Sequence, residues 1–301
     1  MASLRMDVAA EIKRRAQRVE RGIEELLPLA AFGPKRLSEA MRYAMQGGGK
    51  RLRPVMVMAA AELFAGVPGQ EKAVPAGVAV ECVHTYSLVH DDLPCMDDDD
   101  LRRGRPTVHK VYDDATAVLT GDALLTYAFQ LLTRFYGSEP ALAAGLVDEL
   151  GDAAGHEFLV GGQVMDLMFE GAKDVTAEIL NDIHSRKTGA MIRASLAMGG
   201  RIGGATPAQV QQLRRAGLEL GMAFQIVDDV LDATQDSATL GKTAGKDAAS
   251  GKTTFVSIHG LDQARALAAA YTERTIASMT ALPGDTAFLV GLTQSLLVRD
   301  R

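Results

Sequence analysis

The chain has 301 residues, of which 47% are hydrophobic and 23% are charged, a balance typical of a folded globular protein. Acidic residues outnumber basic ones by 38 to 32, giving a formal net charge of −6, which argues against sequence-independent binding of nucleic acid. The two cysteines, Cys82 and Cys95, are too few for a disulfide framework. We therefore expect a cytoplasmic protein with no secretory signal at its start and no membrane span.

Helices dominate the predicted secondary structure. Aromatic residues make up only 5% of the chain, and no alternating strand pattern stands out. Apolar residues recur at helical spacing, and Gly and Pro separate the segments, as at residues 66–69. The clearest segments are Val55 to Phe64, Leu119 to Phe135, Ala190 to Met198 and Leu213 to Leu231. We expect one all-α domain over residues 1–301, a bundle of ten or more helices around a central cavity.

A basic loop precedes the first of these segments and reads GGGKRLRP over residues 47–54. Glycine lets a ligand approach the backbone closely, and Lys and Arg side chains donate hydrogen bonds to phosphate oxygens. Alone this signal is weak, because most basic loops are simply solvated. A second basic run, RRGR at residues 102–105, follows an acidic cluster and strengthens it.

That acidic cluster reads DDLPCMDDDD over residues 91–100 and holds six aspartates. It follows a predicted helix, and Pro94 favours the end of that helix just before it. Spacings of three and four residues place His84, Ser87 and Asp91 on one helix face. The helix dipole disfavours carboxylates at a C-terminus, so a cation should compensate them. Mg2+ suits these oxygen ligands, and a solvated acidic loop is the simpler alternative for an isolated run.

A second acidic group, DDVLD at residues 228–232, ends the last long helical segment. Asp228 and Asp232 are four residues apart and share a helix face with Gln225, one turn earlier. Carboxylates among apolar neighbours need a partner or a metal. Two acidic helix ends that face each other would form one multi-metal site, which is more specific than either group alone.

Further cations are available for binding a polyanion. Lys187 precedes a predicted helix, and Lys242, Lys246 and Lys252 lie in the irregular stretch 234–252, whose length suits a functional lid or a disordered segment. His84 is explained equally well as a core histidine and as a phosphate donor. Motifs of the GxGxxG, GxSxG and HExxH types are absent. These residues favour metal-assisted cleavage of a phosphate ester beside an apolar pocket.

Taken together, the motifs resemble those of the trans-isoprenyl diphosphate synthases, most closely the bacterial farnesyl diphosphate synthases. GGGKRLRP, HTYSLVHDDLPCMDDDDLRRGRPT, GGQVMD, KTGA and FQIVDDVLD occur in the order found in that family. The resemblance implies an all-α homodimer that uses Mg2+, with Mn2+ able to replace it. The implied reaction joins isopentenyl diphosphate to dimethylallyl and then geranyl diphosphate. The allylic diphosphate ionises, the isopentenyl double bond attacks the cation, and a proton leaves with farnesyl diphosphate as product.

The resemblance also implies roles for residues of this chain. Those implied to bind Mg2+ are Asp91, Asp92, Asp97, Asp228 and Asp232. Those implied to contact the allylic diphosphate are Arg102, Lys187, Thr188, Gln225 and Lys242, with Lys252 as a further substrate-binding residue. Those implied to contact isopentenyl diphosphate are Lys50, Arg53, His84 and Arg103. The implied catalytic set is Asp91, Asp92, Asp97, Asp228, Lys187 and Arg102.

Product length in this family is assigned to the residues four and five before the first aspartate, here Ser87 and Tyr86. An aromatic residue at Tyr86, with the insertion Pro94-Cys95, is typical of the farnesyl type. Helical spacing alone favours Ser87 as the residue beneath Asp91. Three alternatives stay open: a geranylgeranyl diphosphate synthase, a terpene cyclase, and a non-catalytic partner subunit. A cyclase would leave the basic loop without a purpose, and partner subunits tend to lose the acidic motifs.

Overall fold

The computed structural model describes residues 6–28, 33–172, 174–234 and 253–297. The first helices are α1 (Val8–Leu26), α2 (Lys35–Met45), α3 (Leu52–Lys72) and α4 (Val74–Asp91). A pair of two-residue antiparallel strands follows, β1 (Leu101–Arg102) and β2 (Arg105–Pro106), and then α5 (Val108–Val111), α6 (Asp114–Tyr136), α7 (Pro140–Ala154) and α8 (Leu159–Phe169). The remaining elements are α9 (Ala177–His184), a π-helix (Ser185–Gly189), α10 (Ala190–Ile202), α11 (Pro207–Thr234), α12 (Phe255–His259), α13 (Leu261–Thr280) and α14 (Ala287–Leu297).

The predicted all-α class is confirmed, since the described ranges contain no other strand. The four predicted segments lie within α3, α6, α10 and α11. The break predicted at residues 66–69 is narrower than expected: only Gly66, with a φ of 63°, leaves helical geometry, and the helix resumes to Lys72. Pro68 is tolerated because it lies in the first turn of the resumed helix, where its missing N–H is not needed.

Helix α4 runs through the interior. Its sequence is apolar on all sides over residues 76–83, apart from Glu81, and such a helix is stable only when it is surrounded. Side chains of α4, α6 and α10 meet in the largest core cluster, which includes Val80, Leu124 and Met191. A second cluster joins α3, α10 and α11 to the C-terminal helices. This packing fixes the two helix ends that carry the acidic groups.

Helices α3 and α6 are long and apolar enough to cross a membrane, with a mean hydropathy of 1.2 over 18 residues in each. Half of each window is buried inside the protein. Core helices of a folded domain pass the same test, so these two helices give only weak support for a membrane span.

Candidate active site

The first acidic group forms a tight turn at the end of α4. The helix ends at Asp91, as Pro94 predicts, and the Met96 amide then donates to the Leu93 carbonyl at 2.9 Å. The Asp97 amide donates to the Asp91 carbonyl at 2.8 Å, which folds the chain back on the helix end. The turn therefore brings the carboxylates of Asp91, Asp92 and Asp97 within electrostatic range of one another, although Asp97 would leave this face in a straight helix.

Two of these carboxyl groups are buried and carry perturbed pKa values. The pKa of Asp91 is raised to about 6, mainly by burial; the charges of Asp97 and Asp92 also raise it, and those of Lys187 and Arg102 lower it. Burial also raises the pKa of Asp92, although Arg102 donates to its Oδ1 from Nε at 2.9 Å and from Nη2. Desolvated carboxylates near like charges are stabilised by a hard divalent cation, so this donor set fits Mg2+.

Replacing Asp91 with asparagine is expected to stabilise the metal-free protein near pH 8. The raised pKa means that the folded protein binds the proton more tightly than the unfolded chain, so stability falls as pH rises from 3.8 through about 6. The change corresponds to about 3 kcal/mol at most. Thermal unfolding in EDTA should show Asp91→Asn above wild type at pH 8 and no such gain at pH 4.

Asp100→Asn is the control for this measurement. Asp100 lies in the same acidic run but is exposed, and its pKa is lowered by the hydrogen bond from Lys110. Its removal should give no gain at pH 8. Equal gains from both variants would show that general charge repulsion, and not burial of Asp91, causes the effect.

The aspartates of the second acidic group differ in their surroundings. Asp228 and Asp232 are half-buried on α11. Asp229 is buried and has a different role. Its Oδ2 accepts a hydrogen bond from the Phe255 amide at 2.8 Å, and this bond anchors the start of α12. Asp228 and Asp232 therefore stay the predicted metal ligands of this group, and Asp229 is a structural residue that links α11 to α12.

Side chains of a π-helix interact with Asp91 of the first acidic group and with α11, which carries the second. Ser185–Gly189 forms one widened turn, a feature frequent at functional sites, and it carries the KTG motif. Lys187 Nζ pairs with Asp166 Oδ2 at 2.7 Å, and its charge reaches Asp91. Thr188 Oγ1 donates to Gln225 Oε1 at 3.1 Å on α11. Lys187, Thr188 and Gln225, which were predicted to share one ligand, are thus brought together.

The two basic segments, residues 47–54 and 102–105, are held close together by hydrogen bonds. Arg103 donates to the Gly48 carbonyl, and Arg105 Nη1 donates to the Gln46 carbonyl at 2.8 Å. Gly49 has a φ of 122°, and a Cβ at this position would collide with the Arg103 guanidinium. Glycine is therefore favoured at Gly49 by its backbone conformation, and a side chain there would displace the Arg103 guanidinium.

Cations of the basic loop reach the acidic helix ends. Arg53 Nε is buried and has no hydrogen-bond partner in the described part of the chain. Burial lowers the pKa of Arg53, Glu81 raises it, Arg103 lowers it and Asp228 raises it, so the start of α3 lies within electrostatic range of the middle of α4 and the last part of α11. Burial also holds the pKa of His84 well below its ordinary value, assisted by the charges of Arg53 and Arg103. A buried guanidinium nitrogen without a partner, beside a neutral histidine and a second arginine, favours a bound anion.

Tyr86 and Ser87 differ in where they lie. Tyr86 is 6% exposed, and burial, with the nearby Asp91 charge, raises its pKa to about 12. Its hydroxyl is buried and lacks a hydrogen-bond partner among the described residues. The Ser87 hydroxyl donates to the His84 carbonyl of its own helix at 2.9 Å. Tyr86 is therefore a buried, bulky side chain near Asp91, and whether Tyr86 or Ser87 sets product length stays a prediction.

Some of the predicted site residues are not among the contacts described above. Lys242, Lys246 and Lys252 fall outside the described residues, and Lys50 is exposed. Sequence reasoning did not assign Asp166, although the GGQVMD motif contains it, or Glu81, whose only signal was a charge within an apolar helix. Both form ion pairs with a lysine or arginine of the predicted segments.

A further group of ligand-type atoms lies beside the predicted metal ligands. Among the described residues, oxygen atoms of Asp98 and Asp100 and one ring nitrogen of His109 lie within 4.8 Å of one another. Asp100 is already paired with Lys110 at 2.8 Å, and both carboxylates are exposed. Exposed groups of this kind are common without an ion, whereas burial makes a cation necessary at Asp91 and Asp92. We therefore retain the predicted set as the metal site.

Comparison with known proteins decides the family. A family model described as polyprenyl synthetase matches residues 34–283. The chain belongs to the polyprenyl synthetase family. This membership confirms the resemblance to the trans-isoprenyl diphosphate synthases and accounts for the all-α fold.

Individual relatives agree with this family assignment. The chain is 48% identical to "Geranylgeranyl pyrophosphate synthase, chloroplastic" of Capsicum annuum over 78% of its own length, and it spans 64% of the length of that relative. A solved FPP/GFPP synthase from Zymomonas mobilis is 37% identical, with a TM-score of 0.83 and coverage of 97% of this chain and 99% of that one. A geranylgeranyl pyrophosphate synthetase from Pyrococcus horikoshii is 32% identical, with a TM-score of 0.86 and coverage of 97% and 98%.

Proposed function

We propose that the protein is a prenyltransferase that condenses isopentenyl diphosphate with an allylic diphosphate. One observation carries the proposal: the carboxylates of buried Asp91 at the end of α4 and half-buried Asp228 on α11 lie within electrostatic range of cations of the π-helix and the basic loop, respectively. A site that combines carboxylates suited to a metal with cations suited to phosphate oxygens can accommodate two diphosphates. Family membership supports the same reaction.

The allylic diphosphate would lie between the two acidic groups. Mg2+ bound by Asp91, Asp92, Asp97, Asp228 and Asp232 would neutralise its charge and weaken its C–O bond. Lys187 and Arg102 are held at this position by Asp166 and Asp92, so they are ready to donate to the departing oxygens. Positive charge fixed before the reaction stabilises the leaving group without reorganisation.

Isopentenyl diphosphate would bind at the basic loop. Its diphosphate would supply the partner that buried Arg53 Nε lacks, together with Lys50 and Arg103. His84, with its lowered pKa, is neutral and donates a single N–H. This arrangement directs the double bond at the allylic cation, and the departing diphosphate is the base that takes the final proton. The reaction requires that water, which would quench the cation, be excluded from the site.

Farnesyl diphosphate is the product that the site itself supports, because the buried ring of Tyr86 stands beside Asp91, where a growing chain must pass. Geranylgeranyl diphosphate is the second candidate, and the comparisons support it better, because the Capsicum annuum relative is named a geranylgeranyl pyrophosphate synthase. The Zymomonas mobilis structure bears the name of a FPP/GFPP synthase.

Product analysis tests the proposal directly. Purified protein with Mg2+ and labelled isopentenyl diphosphate should extend dimethylallyl and geranyl diphosphate, and chromatography of the dephosphorylated products should give a fifteen-carbon alcohol. A twenty-carbon alcohol would replace farnesyl by geranylgeranyl as the product. Failure to extend any allylic primer would refute prenyl transfer, and a cyclic hydrocarbon would point to a cyclase.

The remaining inferences from sequence stay predictions. We propose a homodimer, which is supported by the exposed apolar side chains of Val118 and Leu119 on α6. A cytoplasmic location, replacement of Mg2+ by Mn2+ and a single domain over residues 1–301 are proposed on the sequence alone.

A further inference from the structure

Arg51 lies in the middle of the basic loop but is turned away from any ligand. Its side chain is 1% exposed. Nη1 donates to Glu81 Oε1 at 2.6 Å, Nε donates to Glu20 Oε1 at 2.7 Å, and Nη2 donates to the Met45 carbonyl at 2.5 Å. Because each of its three nitrogens donates within the protein, Arg51 has an internal role, in contrast to Arg53 two residues later.

The backbone at Arg51 is as unusual as its side chain. Its φ of 50° and ψ of 35° lie in the left-handed region, which residues other than glycine rarely adopt. This one residue turns the chain from the loop into α3, so it sets the directions of Lys50 and Arg53 on either side. A strained backbone of this kind persists only where surrounding contacts hold it. The hydrogen bonds of the Arg51 guanidinium, together with the bond from the Val55 amide to the Arg51 carbonyl at 3.0 Å, supply such contacts.

Glu81 is the buried member of this set. Its side chain is 3% exposed on α4, one turn before His84, whereas that of Glu20 is 40% exposed. The charge of Glu81 also reaches Arg53 and Arg103 and raises their pKa values against burial, which lowers them. Glu81 therefore has two conceivable effects on a bound anion. It can hold the loop through Arg51, which aids binding, or it can act by its own negative charge, which opposes binding.

We propose that Glu81 is a positioning residue that acts through Arg51 to hold the basic loop in the shape that presents Lys50 and Arg53 to the diphosphate of isopentenyl diphosphate. The proposal rests on the proposed function for the identity of that ligand. It assigns to a buried acid, in a helix otherwise read as core, a part in substrate affinity.

Glu81→Gln keeps the size of the side chain and removes the ion pair. We expect isopentenyl diphosphate and inorganic pyrophosphate to bind roughly tenfold more weakly, measured by calorimetry in EDTA so that the metal site is silent. With Mg2+, KM for isopentenyl diphosphate should rise similarly, whereas KM for the allylic diphosphate should stay within about twofold. Glu149→Gln is the matched control, because Glu149 is equally buried and pairs with Arg201 at 2.9 Å and with Arg214, away from the loop.

Arg51→Lys keeps the charge but loses the three-way hydrogen bonding, and it serves as a second variant if Glu81→Gln does not fold. It should weaken pyrophosphate binding by the same factor, and the double variant should bind no more weakly than either single one. Tighter binding by Glu81→Gln would mean that its charge acts directly, and it would overturn the proposal. So would unchanged binding with a lowered Tm, which marks a structural role alone.

The two proposals fail in different ways. Wild-type protein that binds pyrophosphate but forms no condensation product would refute the proposed function, and the binding comparison between variants would still be decisive. Wild-type protein that forms product while Glu81→Gln binds pyrophosphate normally would refute only the positioning role. Wild-type protein that binds no pyrophosphate in EDTA would refute the positioning role as well.

Discussion

Asp91→Ala and Asp228→Ala are each expected to lower the rate of Mg2+-dependent condensation by roughly a thousandfold or more, measured as incorporation of labelled isopentenyl diphosphate at saturating substrates. Each change removes one carboxylate from a different side of the allylic diphosphate site. The burial that raises the pKa of Asp91 to about 6 also makes it dependent on a cation, so no water-exposed neighbour replaces it. The loss should appear in kcat as well as in the Mg2+ concentration needed for activity.

Asp100→Ala separates this effect from a general loss of negative charge. Asp100 belongs to the same acidic run but is exposed and paired with Lys110 at 2.8 Å. The Asp100→Ala variant should keep near-wild-type turnover. Wild-type turnover by either Asp91→Ala or Asp228→Ala would contradict the assignment of that residue. Thermal unfolding in EDTA should show Asp91→Ala folded, because the change removes a buried charge.

The sequence was sufficient to predict the fold class and to identify the two acidic groups. Periodicity located α3, α6, α10 and α11 because these helices bury long apolar faces, which is the property that a pattern records. Pro94 located the end of α4. The turn that returns Asp97 to Asp91 was not predictable from spacing, because it depends on backbone hydrogen bonds between the turn and the helix end.

Roles that depend on orientation were harder to predict. The sequence places Arg51 and Arg53 in one basic motif, yet the left-handed backbone at Arg51 turns the first inward and leaves the second for a ligand. Glu81 belongs to no recognisable motif, because its role follows from its ion pair with the Arg51 guanidinium. Asp229 belongs to the second acidic motif but is used to hold Phe255. Charge patterns identify a site, and packing decides which charges face it.

Tyr86→Ala is expected to lengthen the main product by at least one five-carbon unit. We expect the buried ring near Asp91 to block the path of a chain that grows away from the diphosphate, and its removal to open that path. The readout is chromatography of dephosphorylated products formed from labelled isopentenyl diphosphate and geranyl diphosphate. The same change leaves a cavity in the core and should cost about 3 to 5 kcal/mol of stability, so the assay belongs well below the Tm.

Two neighbouring variants make the result specific. Tyr86→Phe keeps the ring and removes a buried hydroxyl that has no partner among the described residues, so product length should not change and stability should not fall. Ser87→Ala tests the position that helical spacing favours. Its hydroxyl is bonded within its own helix, so the product should again be unchanged. A longer product from Ser87→Ala alone would transfer the role to that residue.

The outcome also decides between the two candidate products. A fifteen-carbon product from wild type that lengthens only in Tyr86→Ala would mean that this ring sets the length of the product. A twenty-carbon product from wild type would mean that the chain passes Tyr86 in spite of its burial, and the residue that stops growth must then lie deeper between α4 and α6. An unchanged product in Tyr86→Ala would contradict any role for this ring in product length.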